Sequence, residues 1–162
     1  MRKKGPRGGK TILFTFAVAL ALAAMPLPDW ARPFRPEWVA LVLAYWCIAL
    51  PTRVNVGAGW LAGLAVDVLE GTLLGQHALA YAVFAYACVR VHRQLRVYPL
   101  WQQGLAMCVL VALELLLVFW IDGIIGRAPG TFLFWAPAFT SALLWPWVFV
   151  VLRDLRRRFS VS

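Results

Sequence analysis

Long runs of apolar residues, separated by short segments that contain charged residues, glycine or proline, dominate the pattern along this chain. An α-helix needs about 20 mostly apolar residues to cross a hydrocarbon core about 30 Å thick. The runs predict six membrane-spanning helices, of which the second is the shortest. The predicted spans are residues 11–28, 37–51, 54–74, 76–90, 100–121 and 131–152. Residues 1–162 are therefore expected to form a single all-α domain, a six-transmembrane-helix bundle.

The composition supports a membrane environment for these helices. Apolar residues make up 62% of the 162 residues and charged residues 14%, whereas soluble domains average about 45–50% and about 25%. Folded in water, so apolar a chain would leave large hydrophobic patches exposed. The composition therefore predicts an integral membrane protein with very little mass outside the bilayer.

Basic residues are distributed unevenly between the segments that flank the predicted helices. Lys and Arg collect in the cytoplasmic loops of membrane proteins. Thirteen of the 16 basic residues fall in the two terminal tails and in the loops after the second and fourth helices, which leaves Arg32, Arg35 and Arg127 on the other side. This distribution predicts a multi-pass membrane protein with both termini in the cytoplasm. It also accounts for the net charge of +9 without nucleic acid, since the basic residues are not gathered on one face with base-stacking aromatics.

The two ends of the chain support further expectations. The stretch "RDLRRRF" after the sixth span is predicted to contact anionic lipid headgroups, which attract basic side chains near the membrane surface. The residues concerned are Arg153, Arg156, Arg157 and Arg158. At the other end, a basic start followed by an apolar run is also typical of a secretory signal peptide. The first helix is nevertheless expected to remain as an uncleaved anchor.

Residue sets that support catalysis are scarce in this sequence. The chain has three serines, two of them in the tail, and no metalloprotease pair, Gly-rich phosphate loop or nucleophile elbow. Cys47, Cys88 and Cys108 lie in separate predicted spans, so neither a disulfide framework nor a zinc site is expected. The sequence therefore predicts a protein that is not an enzyme and holds no cofactor or metal.

Four ionisable residues inside the predicted spans form the candidate site. Asp67 and Glu70, three positions apart, share one face of the third helix. At 1.5 Å per residue, Asp67 and Glu114 lie about 20 Å from the cytoplasmic starts of their helices, and His77 begins the fourth helix on the outer side. The four side chains are therefore expected to converge in the outer half of the bilayer.

Two interpretations of this polar cluster stay open. A charge near the bilayer centre costs roughly 2.5–3.5 kcal/mol, so an ionisable residue at such depth indicates a functional site. In the first interpretation, the cluster lines a polar pocket that opens toward the periplasm and takes a ligand or a partner. In the second, Asp67 and Glu70 have a structural role and accept hydrogen bonds from indole or phenol groups.

Small residues on the third helix predict close helix packing. Gly59 and Gly63 form a small-xxx-small pair, which lets two membrane helices approach closely. Trp60 is expected to belong to the same packing surface. Self-association of the chain through this face is an alternative that gives a homodimer, although it competes with packing of the face inside the bundle.

Residues 36–96 resemble the family of the rod shape-determining protein MreD. The most specific stretches are "YWCIALP", "GWLAGLAVDVLEGTLLGQHAL" and "RVHRQLR", in this order and with this spacing. The helices on either side of this region agree with the family in length and hydrophobicity.

The resemblance implies a protein of the bacterial inner membrane, a subunit of the elongation complex that organises lateral peptidoglycan synthesis. Such a subunit binds MreC and works indirectly with MreB, RodA and a class B penicillin-binding transpeptidase. The family's fold is similar to that of the substrate-binding subunits of energy-coupling factor transporters. Because a fold does not define a function, this similarity adds a second hypothesis, a membrane protein that binds a small molecule or a polyprenyl-linked lipid.

Overall fold

The computed structural model describes residues 7–162, which form six α-helices and no strand. The helices are α1 (Gly9–Ala24), α2 (Trp38–Ala49), α3 (Val56–Glu70), α4 (Gln76–Val97), α5 (Leu100–Ile124) and α6 (Ala136–Arg158). Two short 3₁₀ helices, Arg32–Phe34 and Phe132–Trp135, precede α2 and α6. The prediction of an all-α chain with six helices is confirmed.

Several helix bounds differ from the predicted spans: α1 ends at Ala24 rather than at residue 28, and α6 begins at Ala136 rather than at residue 131. Three further differences have evident local reasons. α3 ends at Glu70 rather than at residue 74, because Gly71 adopts the left-handed conformation (φ 67°) that commonly ends a helix. α4 continues to Val97 and α6 to Arg158, beyond the predicted residues 90 and 152. Both extensions are rich in Arg and Leu, which are good helix formers. Each helix can therefore continue beyond its apolar stretch.

Helix α2 lies at the centre of the bundle. Ten of its 12 residues are buried, and it packs against α1, α3, α4 and α6. Around this centre, α3 packs along α4 and α5 packs along α6, while α1 lies beside α2 and α3. The sequence of α2 is apolar on all sides of the helix, and this pattern is typical of a helix that is surrounded by other helices.

Two helical segments, Leu100–Ile124 and Phe132–Arg158, are long and apolar enough to cross a membrane. Gly9–Ala24 is apolar but shorter. These segments support a membrane protein. That all six helices span the bilayer stays a prediction.

Charged side chains separate toward the two ends of the bundle. At one end, which we call the basic end, Arg53 donates hydrogen bonds to backbone oxygens of Arg7 (2.8 Å) and Ser162 (2.6 Å), close to the last turn of α6. We call the opposite end, with Glu37 and Asp122, the acidic end. Of the seven Asp and Glu residues, only Asp154 lies at the basic end. The bundle therefore has a strong charge asymmetry along its axis.

Two buried indole groups are hydrogen-bonded without using a carboxylate. Trp46 donates from Nε1 to the hydroxyl of Thr15 (2.9 Å), which joins α2 to α1. Trp145 donates to Oε1 of Gln103 (3.1 Å), whose amide nitrogen donates to the carbonyl oxygen of Leu95 (2.8 Å). These polar contacts therefore tie neighbouring helices together and leave the acidic residues free for other partners.

The two glycines of the small-xxx-small pair lie at the contact between α3 and α4. A Cβ atom at Gly59 would lie 2.6 Å from the carbonyl oxygen of Tyr81, and one at Gly63 would overlap the backbone of His77 and Ala78. This face is therefore covered within the chain. Self-association through it would require α3 and α4 to separate.

Trp60 differs from the expectation that it packs beside these glycines. Its side chain is 48% exposed, because the next position along a helix is rotated by about 100° from Gly59. Trp60 therefore lies mainly on the outer surface of α3 rather than in the contact with α4.

Candidate functional site

The carboxylate of Asp67 lies at the first turn of α4 and is 1% exposed. Its Oδ1 accepts hydrogen bonds from the backbone N–H of His77 (2.9 Å) and from the hydroxyl of Thr72 (2.7 Å). Its Oδ2 accepts from the backbone N–H groups of Gly75 (2.9 Å) and Ala78 (3.3 Å). The first N–H groups of a helix have no partner within the helix, so Asp67 acts as the cap of α4 from the neighbouring helix.

The local sequence explains why a distant carboxylate takes this role. The residue that precedes α4 is Gly75, which has no side chain to cap the helix. Gly71 and Gly75 both have positive φ angles, 67° and 101°, which glycine adopts without steric cost. They turn the chain between α3 and α4 sharply enough to return the start of α4 to Asp67.

His77 lies between two carboxylates. Its Nδ1 is 2.9 Å from Oδ1 of Asp67, and its Nε2 is 3.8 Å from Oε2 of Glu70. When Nδ1 carries the proton and donates to Asp67, Nε2 is the ring atom that faces Glu70. The imidazole of His77 therefore lies between the buried carboxylate of Asp67 and the part-exposed carboxylate of Glu70.

A cavity of about 290 Å³ opens beside this histidine at the acidic end. Its polar lining consists of Arg32, Glu37, Glu70, Thr72, Gln76, His77 and Asp122. Two of the carboxylates have neutral donors, since Gln76 donates to Asp122 (2.7 Å) and the phenol of Tyr81 donates to Glu37 (3.2 Å). The cavity is therefore lined by more acidic than basic side chains.

Glu114 on α5 is buried and has no hydrogen-bond partner among the residues that the structure describes. It is 1% exposed, and neither of its carboxylate oxygens is bonded. Its neighbour Leu115, and Val118 one turn further along α5, contribute to the cavity wall. Burial of a polar group without a partner is costly. In Glu114 this cost applies to both oxygens of the carboxylate.

The structure gives the four predicted residues different positions. Asp67, Glu70 and His77 lie together, but only Glu70 and His77 line the cavity. Asp67 lies behind them at the start of α4, and Glu114 is buried near the α5 wall. Whether this cluster binds a ligand stays a prediction.

Glu37 and Asp122 line the cavity although the sequence interpretation did not include them. Glu37 is the first residue of the second predicted span, and Asp122 directly follows the fifth. Their common location on the predicted periplasmic side, together with His77, was the signal that could have identified them.

The four arginines that were predicted to contact lipid lie at the end of α6. Arg153 and Arg156 are half-buried, whereas Arg157 and Arg158 are exposed. The first three line a second cavity, at the basic end, and Arg158 lies outside it. Their contact with lipid headgroups stays a prediction.

Apolar helices around an interior polar cluster are the features of a helical membrane protein. The family model described as rod shape-determining protein MreD matches residues 8–155. The rod shape-determining protein MreD of Haemophilus influenzae is 37% identical over 151 residues, which cover 91% of each chain. The chain therefore belongs to the MreD family of rod shape-determining proteins, and the resemblance of residues 36–96 extends over nearly all of it.

No solved structure shows a significant match to the chain. The expected similarity to the substrate-binding subunits of energy-coupling factor transporters therefore stays a prediction.

Proposed function

We propose that this protein is a non-enzymatic membrane subunit of the cell-wall elongation complex, which binds MreC and helps to organise lateral peptidoglycan synthesis. The observation that carries the proposal is the family match over residues 8–155, because the family is defined by a role in rod shape. MreB, RodA and a class B penicillin-binding transpeptidase act with it indirectly, through the same complex.

The outer faces of the helices are the surfaces available to MreC. The connections between the α-helices are short, the longest being residues 25–37, so a partner has little other surface to bind. On α6, the large apolar side chains of Phe139, Leu143, Trp147 and Val151 are exposed at intervals of four residues. This spacing produces a continuous apolar stripe along one helix face, on which a transmembrane helix of a partner can pack.

The first test concerns the retention of MreC. Full-length MreC should co-purify with this protein, and its isolated periplasmic part should bind at least about tenfold more weakly, a difference of about 1.4 kcal/mol. The measurement is the dissociation constant in detergent or nanodiscs. As the matched control, MreC with its membrane helix exchanged for that of an unrelated single-span protein should bind as weakly as the periplasmic part. Equal binding of the periplasmic part and full-length MreC would contradict the proposed contact through helix faces.

The proposal includes a topology in which the basic end faces the cytoplasm of the inner membrane and all six helices span. Cysteines introduced near Arg32 and Arg127 should then react with an impermeant thiol reagent added from the periplasm. Cysteines near Arg93 and Arg157 should react only after the membrane is permeabilised. Reaction of the Arg93 position from the periplasm would exclude this topology. Cys108 needs prior replacement because it is part-exposed, unlike Cys47 and Cys88.

A second candidate function is that of a membrane protein that binds a small molecule or a polyprenyl-linked lipid, in a fold similar to that of a transporter substrate-binding subunit. The carboxylate of Glu114, which has no hydrogen-bond partner within residues 7–162 and lies near the cavity of the acidic end, favours it. Mass spectrometry of the purified protein discriminates the two functions. If the protein binds such a molecule, we expect the molecule to co-purify with the wild-type protein and to be absent from the Glu114→Gln variant. A purified protein that retains MreC and carries no such molecule would contradict this second function.

A further inference from the structure

The largest concentration of positive charge in the described structure surrounds a cavity at the basic end. The cavity has a volume of about 640 Å³ and lies between α2, α4 and α6. Its charged and aromatic lining consists of Tyr45, Arg96, Phe149, Arg153, Arg156 and Arg157. Four guanidinium groups therefore face one concave space at the end of a bundle that carries almost all its carboxylates at the opposite end.

The positions of these arginines follow from helix geometry. Arg153, Arg156 and Arg157 occupy positions i, i+3 and i+4 of α6, which lie on one face of a helix. Arg96 comes from the last turn of α4, across the cavity. Arg158 is rotated by about 100° from Arg157 and lies outside the lining.

Carboxylates do not neutralise this group of arginines. Within residues 7–162, the ion pair of Arg153 with Asp154 (3.8 Å) is the only one that any of the four forms. Like charges at helical spacing destabilise a fold, so their convergence has an energetic cost that a bound anion would remove.

Two of the guanidinium groups are held in place by contacts that leave donors free. Arg96 donates from Nε to the carbonyl oxygen of Ile48 (2.8 Å) and from Nη2 to that of Ala49 (2.9 Å), at the end of α2. A guanidinium has five N–H donors, so donors remain for a ligand. The guanidinium of Arg153 lies over the ring of Phe149, 6.0 Å from its centroid, in cation–π contact.

We propose that this cavity binds a phosphoryl group of two or more negative charges, such as a phosphate monoester or a diphosphate. The planar fork of arginine matches phosphate oxygens in bidentate geometry, and several arginines can bind one such group from different sides. The volume exceeds that of a single phosphate, and Ile48, Phe149 and Val161 supply an apolar wall. Because the cavity is at the end of the bundle, a lipid that carries the phosphoryl group can reach it from the membrane surface.

The test measures binding to the full-length protein in nanodiscs with two probes. Inorganic pyrophosphate represents a soluble phosphoryl source. Phosphatidic acid, a monoester, represents a lipid source and is compared with phosphatidylglycerol of the same acyl chains, a diester with a single charge. We expect at least one of the multiply charged probes to bind, and phosphatidic acid to exceed phosphatidylglycerol if the source is lipid. Failure of both probes to bind would overturn the proposal.

Matched variants separate a built site from a general positive field. Arg156→Gln/Arg157→Gln removes two charges from the cavity, and Arg93→Gln/Arg158→Gln removes two exposed charges outside it. We expect the first pair to weaken binding at least about tenfold, since charge-assisted bidentate bonds are among the strongest hydrogen bonds, and the second pair to change it less than about twofold. Equal losses in the two pairs would show attraction by net charge alone and overturn the proposal. If the first pair fails to fold, Arg156→Lys/Arg157→Lys takes its place. This pair keeps the charge but loses the planar fork of arginine, so we expect it to bind the probe more weakly than the wild-type protein.

Discussion

Replacement of Gly63 with alanine is expected to prevent the protein from accumulating in the membrane. The added Cβ would overlap the carbonyl oxygen of His77 and the backbone of Ala78. These are backbone atoms at the start of a helix and cannot move aside as a side chain tip can, so α3 must separate from α4. Overpacking costs about 1–3 kcal/mol, occasionally more, and a clash with two backbone segments is expected at the upper end of this range. The measurement is the level of membrane-inserted protein, together with its thermal unfolding midpoint.

Gly57→Ala is the matched control, because it makes the same change on the same helix. A Cβ atom at Gly57 would meet only the side chain of Asn55, at 3.7 Å, and alanine is the better helix former. This variant should accumulate to the wild-type level or slightly above it. If Gly63→Ala also accumulated normally, the close contact of α3 with α4 could not be as described.

The second large effect is expected for Asp67→Ala, which removes the cap of α4. The substitution leaves the N–H groups of Gly75, His77 and Ala78 without their acceptor. Each buried donor left unsatisfied costs about 1–3 kcal/mol, so a total loss of about 3 kcal/mol or more is expected. Asp67→Asn keeps one acceptor oxygen and should be intermediate. The free energy of unfolding in detergent and the protein level in cells measure the effect.

Glu70→Gln is the control for this prediction, since the side chain of Glu70 is part-exposed and its close partner among residues 7–162 is the ring of His77, at 3.8 Å. It should leave stability nearly unchanged. A functional role for the polar cluster would then show as loss of rod shape in Glu70→Gln cells that contain normal amounts of protein. If instead Asp67→Asn accumulated normally and rod shape were lost, Asp67 would act in function rather than as a cap.

The parts of this structure that follow from local sequence patterns could be predicted. The number of helices follows from the length of each apolar run, and the contact made by Gly59 and Gly63 follows from their spacing on one helix face. The proximity of Asp67 and Glu70 to His77 also follows, since α3 and α4 are joined by a short connection. In each case the information lies within a few turns of one helix or of two consecutive helices.

The role of Asp67 could not be predicted, because it depends on how the chain turns rather than on the type of residue. Five hydrogen-bond donors meet its carboxylate only because Gly71 and Gly75 return the chain at positive φ angles. The cavity lining could be predicted only in part, from the predicted periplasmic side that Glu37 and Asp122 share with His77. Glu37 and Asp122 lie at the ends of helices, where sequence-based boundaries are uncertain by about two to four residues.

The unequal lengths of the helices have a consequence for the surrounding lipid. α1 and α3, which lie side by side, have 16 and 15 residues, whereas α5 has 25. At 1.5 Å per residue, the two short helices extend about 24 and 22 Å, and α5 about 37 Å. If all these helices span, the bilayer beside α1 and α3 must become thinner than its usual hydrocarbon thickness of about 30 Å. The protein would then have a thin side and a thick side, and lipids or helices with short hydrophobic segments would collect preferentially at the thin one.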